Sequence, residues 1–156
     1  MRLRSAELGL AAMMACACSA PLPAQYGREI GVQVMGTASD PVLAVGSLYA
    51  ALRPANRTRL SASAGAGISS GEAAVRGELL GHFLLSPNKL AGTGFYVAGG
   101  VAVVAGPVDR GYLVLTLGLE DRPGSPSGWM VELGLGGGAR LALGYRWRGR
   151  RSGPVS

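Results

Sequence analysis

The stretch Gly128–Arg148, GWMVELGLGGGARLALGYRWR, decides the fold. Trp129, Val131, Leu133 and Leu135 alternate with Met130, Glu132, Gly134 and Gly136. Beyond the glycines, Ala139, Leu141, Leu143, Tyr145 and Trp147 alternate with Arg140, Ala142, Gly144, Arg146 and Arg148. Two runs with a period of two, joined by a Gly-rich turn, mark a β-hairpin. One face is wholly apolar and ends in aromatics, while the other mixes charge with glycine. A soluble hairpin turns its polar face to water and buries the apolar one in a core. Whether a core exists depends on the rest of the chain.

Upstream the same alternation recurs. In Arg28–Thr37, Ile30, Val32 and Val34 oppose Glu29, Gly31 and Gln33. Val42–Arg53 is apolar on both faces, so its inward side stays open, and Pro54, Ala55 and Asn56 are expected to break it. Arg59–Ile68 sets Leu60, Ala62, Ala64, Ala66 and Ile68 against Arg59, Ser61, Ser63, Gly65 and Gly67. Ala73–Leu85 sets Val75, Leu79, Phe83 and Leu85 against Arg76, Glu78 and His82. Gly94–Ala105 places Phe95, Val97, Val101 and Val103 opposite Tyr96, Ala98 and Gly100. Tyr112–Asp121 sets Leu113, Leu115, Leu117 and Leu119 against Thr116, Gly118 and Glu120. With the opening hairpin this makes eight runs of about ten residues joined by short turns, which predicts sequential antiparallel pairing.

Composition agrees with an all-β chain. Of 156 residues 26 are glycine and only 15% are charged. Glycine costs about 1 kcal/mol per helix position relative to alanine, so a helical protein is a poor fit. The net charge of +6 comes from scattered arginines, with Lys89 the sole lysine, and no nucleic-acid surface is read from it. Residues 1–25 have the form of a secretory signal peptide. Arg2 and Arg4 begin it, Leu8–Ala20 is apolar, and Ala20 or Ala24 could precede the cut. Cys16 and Cys18 both fall inside this segment, leaving a mature chain without cysteine and so without disulfide or thiol chemistry. Residues 149–156 form a short polar tail.

The charges decide which side is wet. Glu29, Glu78, Glu120 and Glu132 share the mixed face with Arg59, Arg76, Arg140, Arg146 and Arg148, among small residues that suit a narrow interior. A soluble surface should be about a quarter to a third charged, yet the opposite face carries no charge in seven runs. Apolar outward, polar inward and closed is the pattern of a transmembrane β-barrel. Runs of about ten tilted residues also match the thickness of a bilayer. The fold expected is therefore an all-β, eight-stranded antiparallel up-and-down transmembrane β-barrel over residues 26–148.

With its signal peptide, eight alternating strands and Glu/Arg interior, the chain resembles the small eight-stranded bacterial outer-membrane barrels, the class containing the barrel of outer-membrane protein A. The resemblance implies export to the bacterial outer membrane, with membrane lipids and the barrel-assembly machinery as partners. Two features depart from that pattern. Such barrels commonly end on an aromatic, whereas nine residues follow Trp147 here, and the loops that would face outside are short.

Several motifs carry less than their letters suggest. Gly134–Ala139 matches a dinucleotide fingerprint, but a β-alternating run follows where that motif needs a helix, so no cofactor is expected. His82 is the sole histidine; by parity it points inward, away from lipid, and its nearest serine along the run is Ser86 in a turn. An interior hydrogen-bonding role fits it better than catalysis. One histidine and no thiol leave no metal cluster. An eight-stranded barrel holds just enough space for side chains. Glu29, Arg59, Arg76, Glu78, His82, Glu120, Glu132, Arg140 and Arg146 are therefore expected to form a paired interior network. Glu29, Glu120, Arg146 and Arg148 should meet near one end with Arg59 opposite His82. Arg140 and Arg146 flank the position facing Glu132, so these three are expected to couple. Tyr26, Phe83, Phe95, Trp129, Tyr145 and Trp147 fall near the periplasmic end as one interfacial girdle. The function expected is a non-enzymatic barrel with a structural or interaction role. The alternatives are a lipid-modifying barrel enzyme, which needs a lipid-facing Ser–His pair, and a soluble lipocalin-like barrel, which needs the apolar face inward.

Overall fold

The structure, a computed structural model, describes residues 27–149 apart from Val108. The expected signal peptide, Tyr26 and all but the first residue of the tail lie outside the described residues. Eight strands follow in order: β1 (Arg28–Ala38), β2 (Leu43–Ala55), β3 (Thr58–Ser69), β4 (Glu72–Leu84), β5 (Thr93–Ala105), β6 (Arg110–Asp121), β7 (Ser127–Leu135) and β8 (Ala139–Arg148). Each pairs antiparallel with the next, and β8 pairs with β1 from Arg148↔Glu29 to Ala139↔Ala38. Closure leaves no strand edge with unpaired backbone groups.

Turn chemistry explains the hairpins. Only Ser70 and Gly71 separate the paired Ser69 and Glu72, and both have positive φ (51° and 86°). Positive φ at both central residues gives the tight turn whose twist matches that of the flanking strands. The expected break at Pro54 is instead a bulge. β2 runs on to Ala55, and its register with β3 shifts between Leu52 and Ala55. Proline lacks a ladder donor, and a bulge is a position in a sheet that tolerates it.

Two ends result. Residues 56–57, 85–92 and 122–126 connect strands at the end that carries both ends of the barrel strand order; residues 39–42, 70–71, 106–109 and 136–138 do so at the far end. Along each strand alternate side chains point out and in. The outward rows hold Ile30, Leu48, Leu79, Val103, Leu113, Leu115, Leu117, Leu133 and Leu141, all more than half exposed. β2, whose faces are indistinguishable by hydropathy, turns Leu43, Val45, Tyr49, Ala51 and Arg53 inward.

The buried apolar side chains of the described residues fall into four small clusters rather than one core. At the far end of the lumen Met35, Leu43, Val45, Ala74 and Ala142 make a small apolar plug, with Val104 packed against it. Elsewhere buried charges alternate with smaller clusters, Tyr49 with Ala51 and Met130, Leu80 with Ala102 and Val114, and Leu84 with Tyr96 and Ala98. Two tyrosines lie flat across glycines of the paired strand, Tyr49 over Gly31 and Tyr96 over Gly118, where any Cβ would collide with the ring. Removing the side chain opposite makes room for a large ring in a narrow cylinder.

Candidate functional site

Among the described residues, chemistry-bearing side chains converge in the lumen. Its first layer, below the apolar plug, is a chain of ion pairs. Arg76 Nε donates to Glu78 Oε1 at 2.7 Å, Arg140 Nη2 to Glu78 Oε2 at 2.9 Å, and Arg140 Nη1 to Glu132 Oε2 at 2.9 Å. Tyr96 caps the chain by donating its hydroxyl to Glu132 Oε1 at 2.8 Å. Arg76 and Arg140 balance Glu78 and Glu132, so this layer is electrically neutral. Each carboxylate accepts from two donors, which is the condition under which buried charge is tolerated.

Nearer the strand termini lies a second layer. Glu29 accepts from Arg53 Nε at 2.7 Å and from Arg148 Nε at 2.9 Å, with Arg59 Nη1 at 3.5 Å. Glu120 accepts from Arg59 Nη1 at 3.0 Å, and Arg146 Nε stands 3.3 Å away. Arg59 also lies over the Tyr96 ring, 4.7 Å from its centroid, linking the two layers. Register explains the gathering: Glu29 sits opposite Arg148 on β8 and Ala51 on β2, one inward position from Arg53.

Glu29, Arg59, Arg76, Glu78, His82, Glu120, Glu132, Arg140 and Arg146 are all buried in this lumen. The expected coupling of Glu132 to Arg146 is not formed. Ala142, not an arginine, stands opposite Glu132, and Arg146 lies four residue pairs closer to the termini, where it reaches Glu120 and the carbonyls of Arg122 and Ser125. Parity placed both arginines inward, but height along the barrel selected only Arg140. Arg53, Tyr96 and Ser61 join the network without having been singled out from sequence. Arg53 carried a usable signal: it is the only charge in its strand, and a lone charge in an apolar strand marks the interior face.

His82 lies across from Arg59, with Arg59 Nη2 3.2 Å from Nδ1 and Ser61 Oγ 2.8 Å from Nε2. A Ser–His pair is therefore present, but its polarity is wrong for nucleophilic catalysis. Guanidinium has only donors, so Nδ1 must accept; in the neutral ring Nε2 then carries the proton and donates to Ser61. A ring in that state cannot take the serine proton. The adjoining void has a volume of about 10 Å³, room for a single water at most. Each of the carboxylates in the lumen is engaged by arginine, and among the described residues no three His, Cys, Asp or Glu side chains gather where a metal could sit.

On the outer wall, Phe83, Phe95, Trp129, Tyr145 and Trp147 stand near the terminal end, each partly or largely exposed, and Tyr145 and Trp147 meet edge to face with centroids 5.0 Å apart.

Solved structures share this architecture. The N-terminal β-barrel domain of OprF from Pseudomonas aeruginosa superposes with a TM-score of 0.61 at 15% identity, over 80% of this chain and 100% of that one. This is the fold of an eight-stranded outer-membrane barrel. Neisserial surface protein A is a second barrel of the kind, with a TM-score of 0.57 at 8% identity, covering 78% of this chain and 96% of its own. No protein family and no curated protein matches the sequence. The outer-membrane barrel fold is thus shared at 8 to 15% sequence identity.

Proposed function

We propose that the chain is an integral protein of a bacterial outer membrane. Its sealed barrel serves a structural or interaction role rather than conduction or catalysis. The carrying observation is the distribution of polarity: uncharged apolar rows cover the middle of the wall while the charges are buried inside. In water those rows would be a very large exposed apolar surface, far beyond what soluble monomers tolerate. In a bilayer they meet acyl chains, and closure satisfies the backbone. Strands of 9 to 13 residues are long enough to cross with a tilt. A lipocalin-like role would need the apolar rows inside, the reverse of their placement. A lipid-modifying role would need the Ser61–His82 pair on the wall and the opposite tautomer.

Residues 1–25 direct export on this reading, and the assembly machinery and outer-membrane lipids are the partners needed to place the barrel. Expression of the full chain in a Gram-negative host tests it. The protein should appear in the outer-membrane detergent fraction and migrate faster on gels when unheated than when boiled. Recovery from the periplasmic wash, without heat-dependent mobility, would refute the membrane assignment.

A further inference from the structure

Charge in the two lumen layers is unequal. The layer near the plug is neutral, but in the layer at the terminal end four guanidinium groups, of Arg53, Arg59, Arg146 and Arg148, face only Glu29 and Glu120. Carbonyl oxygens of Arg122, Pro123 and Ser125 accept further N–H groups of Arg146 and Arg148. Those bonds satisfy donors without cancelling charge, so two positive charges remain in excess. Arg53 is 8% exposed; its Nε pairs with Glu29 at 2.7 Å, while its buried Nη2 has no hydrogen-bond partner and stands 3.7 Å from Glu120. A buried layer with more cations than carboxylates is costly.

Directly against this layer the barrel opens into a bowl of about 620 Å³. Arg53 and Arg148 are its charged lining residues, Asn56 and Asn88 line it with Leu90 and Pro87, and no carboxylate among the described residues lines it. Exposed Arg28, Arg57 and Lys89 and the Asp121–Arg122 ion pair stand at this end of the barrel, whereas the far end carries Asp40, Glu72 and Asp109 beside Arg110. The volume falls in the range of small-molecule sites.

We propose that this bowl binds a phosphate-bearing ligand, held by Arg53 and Arg148 and by the amides of Asn56 and Asn88. Guanidinium forks match phosphate oxygens two at a time, and phosphate supplies the negative charge that the second layer lacks. The bowl lies at the same end of the barrel as the aromatic row, which on the membrane reading marks the level of lipid headgroups. Two sources share this chemistry: the headgroup of an anionic phospholipid and a soluble phosphomonoester.

The test uses the full barrel in neutral maltoside micelles, titrated calorimetrically with sn-glycerol 3-phosphate at fixed ionic strength. Saturable one-to-one binding is expected. Arg53→Gln should weaken it about tenfold or more, the usual effect of losing a charge-assisted bond. Asn88→Asp, in a loop outside the ion-pair network, should weaken it comparably by adding repulsion, and it decides the matter if Arg53→Gln does not fold. Arg110→Gln at the far end should leave affinity unchanged. A second titration in phosphatidylcholine nanodiscs, with and without phosphatidylglycerol, separates the sources: inhibition by phosphatidylglycerol identifies the headgroup, and undisturbed binding identifies the soluble ester. Absence of saturable binding to the unmodified barrel, or affinity unaltered by both bowl substitutions, overturns the proposal.

Discussion

Glu132 shows what a single residue does inside this barrel. It accepts from both Tyr96 and Arg140, and Arg140 in turn bridges to Glu78. Glu132→Gln leaves one buried positive charge without its carboxylate, an expected loss of about 3–5 kcal/mol in unfolding free energy, measurable in urea. The loss should shrink when Arg140→Gln is added. It should stay additive with Arg146→Gln, because Arg146 answers to Glu120 in the other layer. Coupling to Arg146 instead of Arg140 would mean that the two layers exchange partners. That Glu132 points inward was legible from alternation alone. Which arginine it meets was not, since parity carries no information about height.

At the scale of an element, β6 displays both environments in adjacent residues. Leu115 is 66% exposed on the outer wall, while Thr116 is fully buried and its hydroxyl has no partner. Leu115→Arg places a charge against the acyl chains near mid-strand, at a cost of about 2–4 kcal/mol, and folded barrel recovered after assembly in vesicles should fall sharply. Thr116→Val keeps the shape and removes an unsatisfied polar atom, so folded yield should hold or rise. Comparable loss from both substitutions would show that the two faces are not lipid and lumen. β6 could be read from sequence because its alternation is clean. β2 was harder: Leu43, Val45 and Tyr49 inside are as apolar as Leu48 and Leu52 outside, and Arg53 alone marks the inner row. Its inward face follows from pairing with β1 and β3, where Tyr49 must cover Gly31.

For the whole molecule, sealing is the property with consequences. The apolar plug, two ion-pair layers and Tyr96 occupy the lumen, and the two voids beside them measure about 20 and 10 Å³. An eight-stranded cylinder has little room beyond its own side chains. Planar-bilayer recordings of the purified protein should therefore show negligible conductance. Large, stable open channels would contradict the filled interior and favour a porin role.

The sequence by itself determined the strand count, the antiparallel order and the inward face of seven strands. These follow from a period of two and from turn residues, both local properties that survive without any knowledge of neighbours. It also placed the charges inside, because hydrophobicity sorted the rows and charge marked the opposite ones. Tertiary structure alone decided the rest: the bulge that carries β2 through Pro54, the choice of Arg140 over Arg146 for Glu132, the tautomer imposed on His82 by Arg59, and the excess of arginine beneath the terminal bowl. Each of these depends on the stagger of paired strands around a closed cylinder. Stagger sets the height at which distant side chains meet, and no residue along a single strand encodes it.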